Sequence, residues 1–195
     1  MASGSAYAYT QDGHLFYVLS FPEGTFVYDC TVNAPQGEWH ERQSYGYDYW
    51  IAGVHTQAFG LELVGDITSN RIGYFSAADY DEWGSIQRME WTYQPVYAQG
   101  RRAFHDSLEI ICEVGVGLTS GQGSDPVVML DFSNDGGRTW VSMPNQQLGP
   151  IGQYRQRVVW NRLGSAQQRV YRAAVSDPVR VAVVDTLLAV RGGRV

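Results

Sequence analysis

An all-β fold, antiparallel and either β-propeller-like or a partial propeller, is the fold class this sequence predicts. Three observations predict it. Apolar and polar residues alternate with period two along most of the chain, and helical periodicity is almost absent. Thirteen Tyr, seven Phe and six Trp accompany 22 Gly in 195 residues, a mix that suits many short strands joined by tight turns. A propeller blade takes about 40–45 residues, so a chain of this length holds roughly four blades' worth of strands. The units share little sequence, so the architecture is inferred from strand density.

The elements follow in order. "MASGSAYAYT" at 1–10 has neither the basic nor the apolar region of a signal peptide. It reads as a flexible N-terminus ahead of one β-rich domain at 11–190, with a tail at 191–195. "HLFYVLSF" (14–21), "GTFVYDC" (24–30) and "EWHERQS" (38–44) predict three antiparallel strands, turned by "PEG" and "NAPQG". "YWIAGVHTQAF" (49–59), "LELVGDI" (61–67) and "RIGYFSA" (71–77) predict three more, and strands at 85–97 and 105–118 come next. In the last of these Cys112 keeps register with Leu108, Ile110 and Val114 and reads as a small buried hydrophobe. Cys30 and Cys112 are the only cysteines, too few for a disulfide framework. A Gly-rich loop, "TSGQGSDP", leads into a hairpin that begins with the β-branched run "VVMLDF". A closing meander has strands at 154–162, 169–176 and 179–184, with Pro178 excluding a central-strand position.

The hairpin turn, "SNDGGRTW", has the spacing Ser-x-Asp-x-Gly-x-Thr-Trp and resembles the Asp-box of sialidases and related β-propeller proteins. Each residue has a structural task. The Asp135 carboxylate bonds neighbouring backbone N–H groups, Gly136 and Gly137 allow positive φ, and Thr139 and Trp140 open the returning strand. Ser133, Asp135, Gly137, Thr139 and Trp140 are therefore expected to build a turn. In the families that carry the box it lies away from the catalytic centre, so the resemblance implies hairpin architecture and not a reaction.

The chain contains no Lys; all 14 basic residues are Arg, and the formal net charge is −6. Residues 1–137 hold 5 Arg and 18 acids, a net −13, while residues 138–195 hold 9 Arg with Asp177 and Asp185, a net +7. Such a split favours head-to-tail assembly; internal pairing of acidic with basic strands is the alternative. No Lys-rich run points to nucleic acid, and the apolar run "VAVVDTLLAV" is too short to span a membrane and is broken by Asp185.

Motifs for chemistry are weak. "DYDEWGSIQRME" places Asp79, Asp81, Gly84, Ile86 and Glu90 at EF-hand loop positions 1, 3, 6, 8 and 12. Position 5 is Trp83, with no side-chain oxygen, and the flanks read as strands where an EF-hand needs helices. His14, His40, His55 and His105 share no ligand spacing. The Gly-rich loop lacks the Lys-Ser/Thr of a phosphate loop, and no Ser sits in G-x-S-x-G. A glycosidase needs an assignable pair of carboxylates, and none can be placed. No enzyme, cofactor or metal is expected.

The order of signals carries a further resemblance. "AYAYTQDGHLFYVLSFPEGTFVYDC" followed by "WHER", then "SNDGGRTW", "RVVWNRLG" and "VSDPV", is similar to the packaged-DNA stabilisation proteins of short-tailed bacteriophages, also called tail accessory or tail hub proteins. The similarity runs from about Tyr7 to Val184. It implies a non-enzymatic virion protein, assembled in the host cytoplasm, whose copies form a sixfold ring below the portal and its adaptor. Such a ring closes the filled capsid and carries distal tail parts, with DNA passing nearby and no membrane insertion. Family members usually carry a substantial N-terminal half before the "AYAYTQDGH" region, which here follows "MASGS" directly. Arg155, Arg157, Arg162, Arg169 and Arg172 are the residues expected to form the assembly interface. The rival expectation is a propeller module that binds host glycans.

Overall fold

The computed structural model describes residues 4–193; the first three residues of the expected N-terminus and the last two of the expected tail lie outside them. Where the sequence suggested one domain over 11–190, the chain divides into two compact units, Met1–Gln87 and Arg88–Val195.

In the first unit, β1 (Ser5–Gln11), β2 (His14–Phe21), β3 (Gly24–Asp29) and β4 (Glu38–Arg42) pair consecutively in one antiparallel sheet. Asp12 and Gly13 close the first hairpin with φ of 51° and 83°, the Asp-Gly pair favoured in two-residue turns. One face of the sheet buries Tyr9, Val18 and Val27, against which Tyr7, Phe16, Trp50 and Phe75 pack. The Arg42 guanidinium lies on that side, 4.8 Å from the Trp50 ring centre. β5 (Ala52–Ala58), β6 (Leu61–Asp66) and β7 (Ile72–Tyr74) form a second sheet. Asp66 organises its last turn, accepting from the Thr68 N–H at 2.7 Å, the Thr68 and Ser69 hydroxyls at 2.6 Å, and Arg71 Nη2 at 2.6 Å. Burial pushes this carboxyl upward, but those donors outweigh it and hold it well below the ordinary carboxylate value. β8 (Asp81–Glu82) and β9 (Ser85–Ile86) flank a turn at Trp83 and Gly84, where Asp81 accepts the Gly84 N–H at 2.8 Å.

The described residues of the second unit form two sheets. The first contains β10 (Met89–Thr92), β11 (Val96–Tyr97), β13 (Val127–Ser133), β14 (Val141–Ser142), β15 (Gln146–Gln147) and β18 (Gln168–Val175), in the order β10-β18-β13-β14 with β11 on β18 and β15 on β13. The second is centred on β12 (Ala103–Cys112), with β16 (Val158–Asn161) and β17 (Ser165–Ala166) along one edge and β19 (Val183–Gly192) along the other. Leu108, Ile110, Val158 and Trp160 from this sheet meet Val128, Leu130, Tyr171, Ala173 and Val175 from the first in one buried cluster. Two antiparallel sheets sharing one core make a β-sandwich. Trp160 spans the layer and keeps its polar handle satisfied, its indole N–H donating to the Pro144 carbonyl at 2.6 Å. Cys112 packs against this core, and burial pushes its thiol upward.

The propeller expectation is overturned. All strand pairs are antiparallel, but no described sheet is closed or strongly curled. A propeller blade is a run of four consecutive strands; here the Asp-box strand β13 takes β18 as its partner, so the box serves a sandwich. The glycan-binding propeller module falls with it. Other boundaries also move. The strand expected at 154–162 shrinks to Val158–Asn161, because Gly149 and Gly152, with φ of 85° and 91°, turn the preceding segment into a loop. β1 begins at Ser5, inside the segment read as flexible, and β19 runs on to Gly192, where Arg191 and Gly192 still pair with Phe104 and Ala103.

Candidate functional site

The Asp-box is a closed hydrogen-bonded turn. Ser133 ends β13 with its side chain buried, accepting the Gly137 N–H at 2.8 Å and donating its hydroxyl to Asp135 Oδ1 at 2.6 Å. The same Oδ1 accepts the backbone N–H groups of Arg138 at 3.0 Å and Thr139 at 2.9 Å, while Oδ2 takes the Thr139 hydroxyl at 2.6 Å. The Ser133 hydroxyl, then the Thr139 hydroxyl and N–H, hold the Asp135 carboxyl well below the usual carboxylate range. Both oxygens are thereby committed to the turn, and a carboxylate so stabilised is poor as a proton donor. Gly136 and Gly137 adopt φ of 77° and 93°, as the turn requires.

Trp140 leaves the turn to stack on Arg172, whose guanidinium carbon lies 4.2 Å from the indole centre. Arg172 also reaches Asp131 at 2.8 Å and Glu90 at 3.7 Å. Burial raises Asp131, yet hydrogen bonds from Arg172 and Ser142 bring it below its ordinary value. Arg169 goes deeper: it is 2% exposed, donates Nε to Asn134 Oδ1 at 2.8 Å and Nη1 to the Leu163 carbonyl, and stacks 4.2 Å from the Phe132 ring centre. Arg157 makes a two-pronged bond to Glu109 at 2.8 and 2.6 Å, and that hydrogen bond lowers the glutamate and raises the arginine. Arg155 and Arg162 are exposed and make no ion pair among the described residues.

Of the five arginines expected at an interface, then, Arg169 and Arg172 hold the Asp-box to β13 and β18, Arg157 is paired on the surface, and Arg155 and Arg162 have no ion-pair partner among the described residues. The structure does not bring them into one cluster. Behind Arg169 lies a pair the sequence reading did not single out: buried His105, whose Nδ1 is 2.9 Å from the Tyr171 hydroxyl. Burial, then the Arg169 charge, lowers its pKa. Among the described residues no group of His, Cys, Asp and Glu is arranged to hold a metal ion, and no helix is long and apolar enough to cross a membrane.

A sandwich whose polar side chains are spent on turns and ion pairs defines a β-sandwich module with Arg-bearing surfaces. Residues 88–191 match the family described as bacteriophage P22 Gp10, beta-sandwich. The chain belongs to that family of phage tail proteins. No curated protein matches it.

Proposed function

We propose that this protein is a non-catalytic building block of the tail hub of a short-tailed phage, sealing packaged DNA below the portal and supporting distal tail parts. The observation that carries the reading is the family match over the entire second unit up to Arg191. The sequence resemblance in "AYAYTQDGH" and "RVVWNRLG" adds the hub role. The chemistry agrees with it: Asp135 is consumed by its own turn, and the arginines nearest the box brace β-strands. Copies are proposed to associate head to tail in a ring, with the portal or its adaptor above and distal tail proteins below.

The test is a phage carrying a nonsense mutation in this gene. Heads should fill with DNA and then lose it, and the wild-type protein supplied in trans should restore retention. Stable, infective particles without the protein would remove the hub role. Turnover of a fluorogenic sialoside by the purified chain, abolished by changing one acid, would remove the non-catalytic reading.

A further inference from the structure

The β1–β4 sheet has two apolar faces. One is the buried face of Tyr9, Val18 and Val27. Alternation places Leu15, Tyr17, Phe21, Phe26 and Trp39 on the other, where they are 37–58% exposed. The register joins them across strands: Tyr17, Tyr28 and Trp39 form one row, and Leu19, Phe26 and Glu41 the next. At ~200 Å² for a large side chain these residues leave on the order of 400 Å² of apolar surface open. That is the size at which the largest patch of a monomer is often functional, and about half of one side of a standard ~800 Å² interface.

The net charge of the unit that carries this face, together with Glu41 on the face itself, points to a basic partner. Met1–Gln87 contains two arginines and eleven acids, a net −9, and Arg88–Val195 contains twelve arginines and nine acids, a net +3. Of the two arginines in the first unit, Arg42 lies over the Trp50 ring and Arg71 pairs with Asp66. Glu41, on the aromatic face, makes no ion pair among the described residues. The second unit carries the complement. The loop before β16 presents Ile151 at 60% exposure and Tyr154 at 70%, beside the exposed Arg155, which has no ion pair among the described residues. Tyr and Arg are the side chains that most often dominate interface energies, and a guanidinium suits both an aromatic surface and a carboxylate.

We infer that the outer face of β1–β4 docks a second copy of this chain through its Ile151–Tyr154–Arg155 loop. The inference rests on the self-assembly reading above and adds the two surfaces. Because they are different surfaces, the contact is heterologous and repeats from copy to copy.

Sedimentation velocity over a concentration series tests it, using the wild-type chain, Trp39→Ser, Glu41→Arg, Arg155→Glu, and Glu41→Arg combined with Arg155→Glu. The wild type should self-associate, each single change should weaken association by at least about tenfold, and the charge-swapped pair should recover most of the loss. Trp39 and Glu41 are exposed, so thermal midpoints should stay near the wild type; Glu41→Arg serves if Trp39→Ser misfolds. If the wild type associates and Trp39→Ser and Glu41→Arg associate equally well, this face is wrong while self-assembly stands. If the single changes weaken association and the swap restores nothing, the loop is the wrong partner. A wild type that remains monomeric throughout overturns both the contact and the self-assembly it rests on.

Discussion

Replacing Arg169 should order its variants against side-chain similarity. The guanidinium is 2% exposed, has no carboxylate partner among the described residues, and is held by Asn134 Oδ1, the Leu163 carbonyl and the Phe132 ring. Deleting it strands the carbonyl of buried Leu163, at about 1–3 kcal/mol for an unsatisfied buried acceptor. It also forfeits about 1–2 kcal/mol of cation–π contact. Asn134 is exposed and can bond water instead. Against these losses, removing a buried charge recovers part of a desolvation cost of several kcal/mol. Arg169→Met, which keeps the stem volume, should therefore cost only about 1–2 kcal/mol. Arg169→Ala adds a cavity and should cost about 3–4 kcal/mol. Arg169→Lys keeps the buried charge but loses the planar fork that serves two acceptors and a ring, so it should cost at least as much as Ala, about 3–5 kcal/mol. The assay is urea denaturation of the full chain, following Trp fluorescence, with the midpoint shift multiplied by the slope. A Lys variant within about 1 kcal/mol of wild type, or a Met variant less stable than Lys, would refute this weighing of fork geometry over charge.

Three further predictions follow from the same unit. Asp135→Ala removes the acceptor of two backbone N–H groups and two hydroxyls and should lower the thermal midpoint; Gly137→Val, at a φ of 93°, should cost about 1 kcal/mol or more and lower it too. An unchanged midpoint in both would mean the box is not a structural turn. His105 has a folded pKa depressed below its ordinary 6.5, first by burial and then by Arg169, so the unfolded chain binds the proton more readily. The stability it contributes is complete above pH 6.5 and is lost as pH falls from there toward the folded pKa; midpoints measured from about pH 7.5 to 5 should fall more steeply for wild type than for His105→Gln, and parallel curves would contradict it. Arg155→Glu with Arg157→Glu should give a folded, soluble chain that fails to assemble. A small loss of stability should accompany it, because the second change sets a new carboxylate against Glu109, the ion-pair partner of Arg157; unfolding, or normal assembly in a complementation assay, would count against the interface.

What could be read from the sequence was local. The Asp-box turn and most strands rest on side chains acting within a few residues, and their chemistry is written in order along the chain; the Asp12-Gly13 hairpin was missed because the segment that becomes β1 was read as flexible. Strand pairing is not. β13 pairs with β18 some forty residues later, Met129 with Ala174 and Ser133 with Val170, and period-two alternation is silent about which strand pairs with which. That silence let a propeller stand where a sandwich forms. The arginines show the same divide. Arg169 was expected at the assembly interface, yet it sits in "QRVYRAAV", apolar on both faces, a pattern that marks a strand covered on both sides, and the fold buries it. Arg155 was placed on a strand because "YRQRVVW" alternates, but Gly149, Pro150 and Gly152 upstream dictate a loop. The aromatic outer face of β1–β4 was also signalled, by "HLFYVLSF" being apolar at odd and even positions alike.

The partners chosen by β12 bear on how the chain acquires its shape during synthesis. In Met1–Gln87 strands pair with their immediate successors, β1 through β4 and β5 through β7, so each hairpin closes a short loop and the sheets can form as the polypeptide leaves the ribosome. In Arg88–Val195 the longest ladder joins Ala103 to Gly192 and Cys112 to Val183, a closure that waits for β19 to be translated. Until then one edge of β12 is open along this ladder, and such edges recruit other nascent chains. The two halves should therefore mature at different times, and proteolysis of stalled nascent chains should find the first protected while the second is still cut. A stop codon ahead of Val183 would leave the folded Met1–Gln87 unit tethered to an aggregation-prone remainder, which makes β19 the clasp that closes the sandwich.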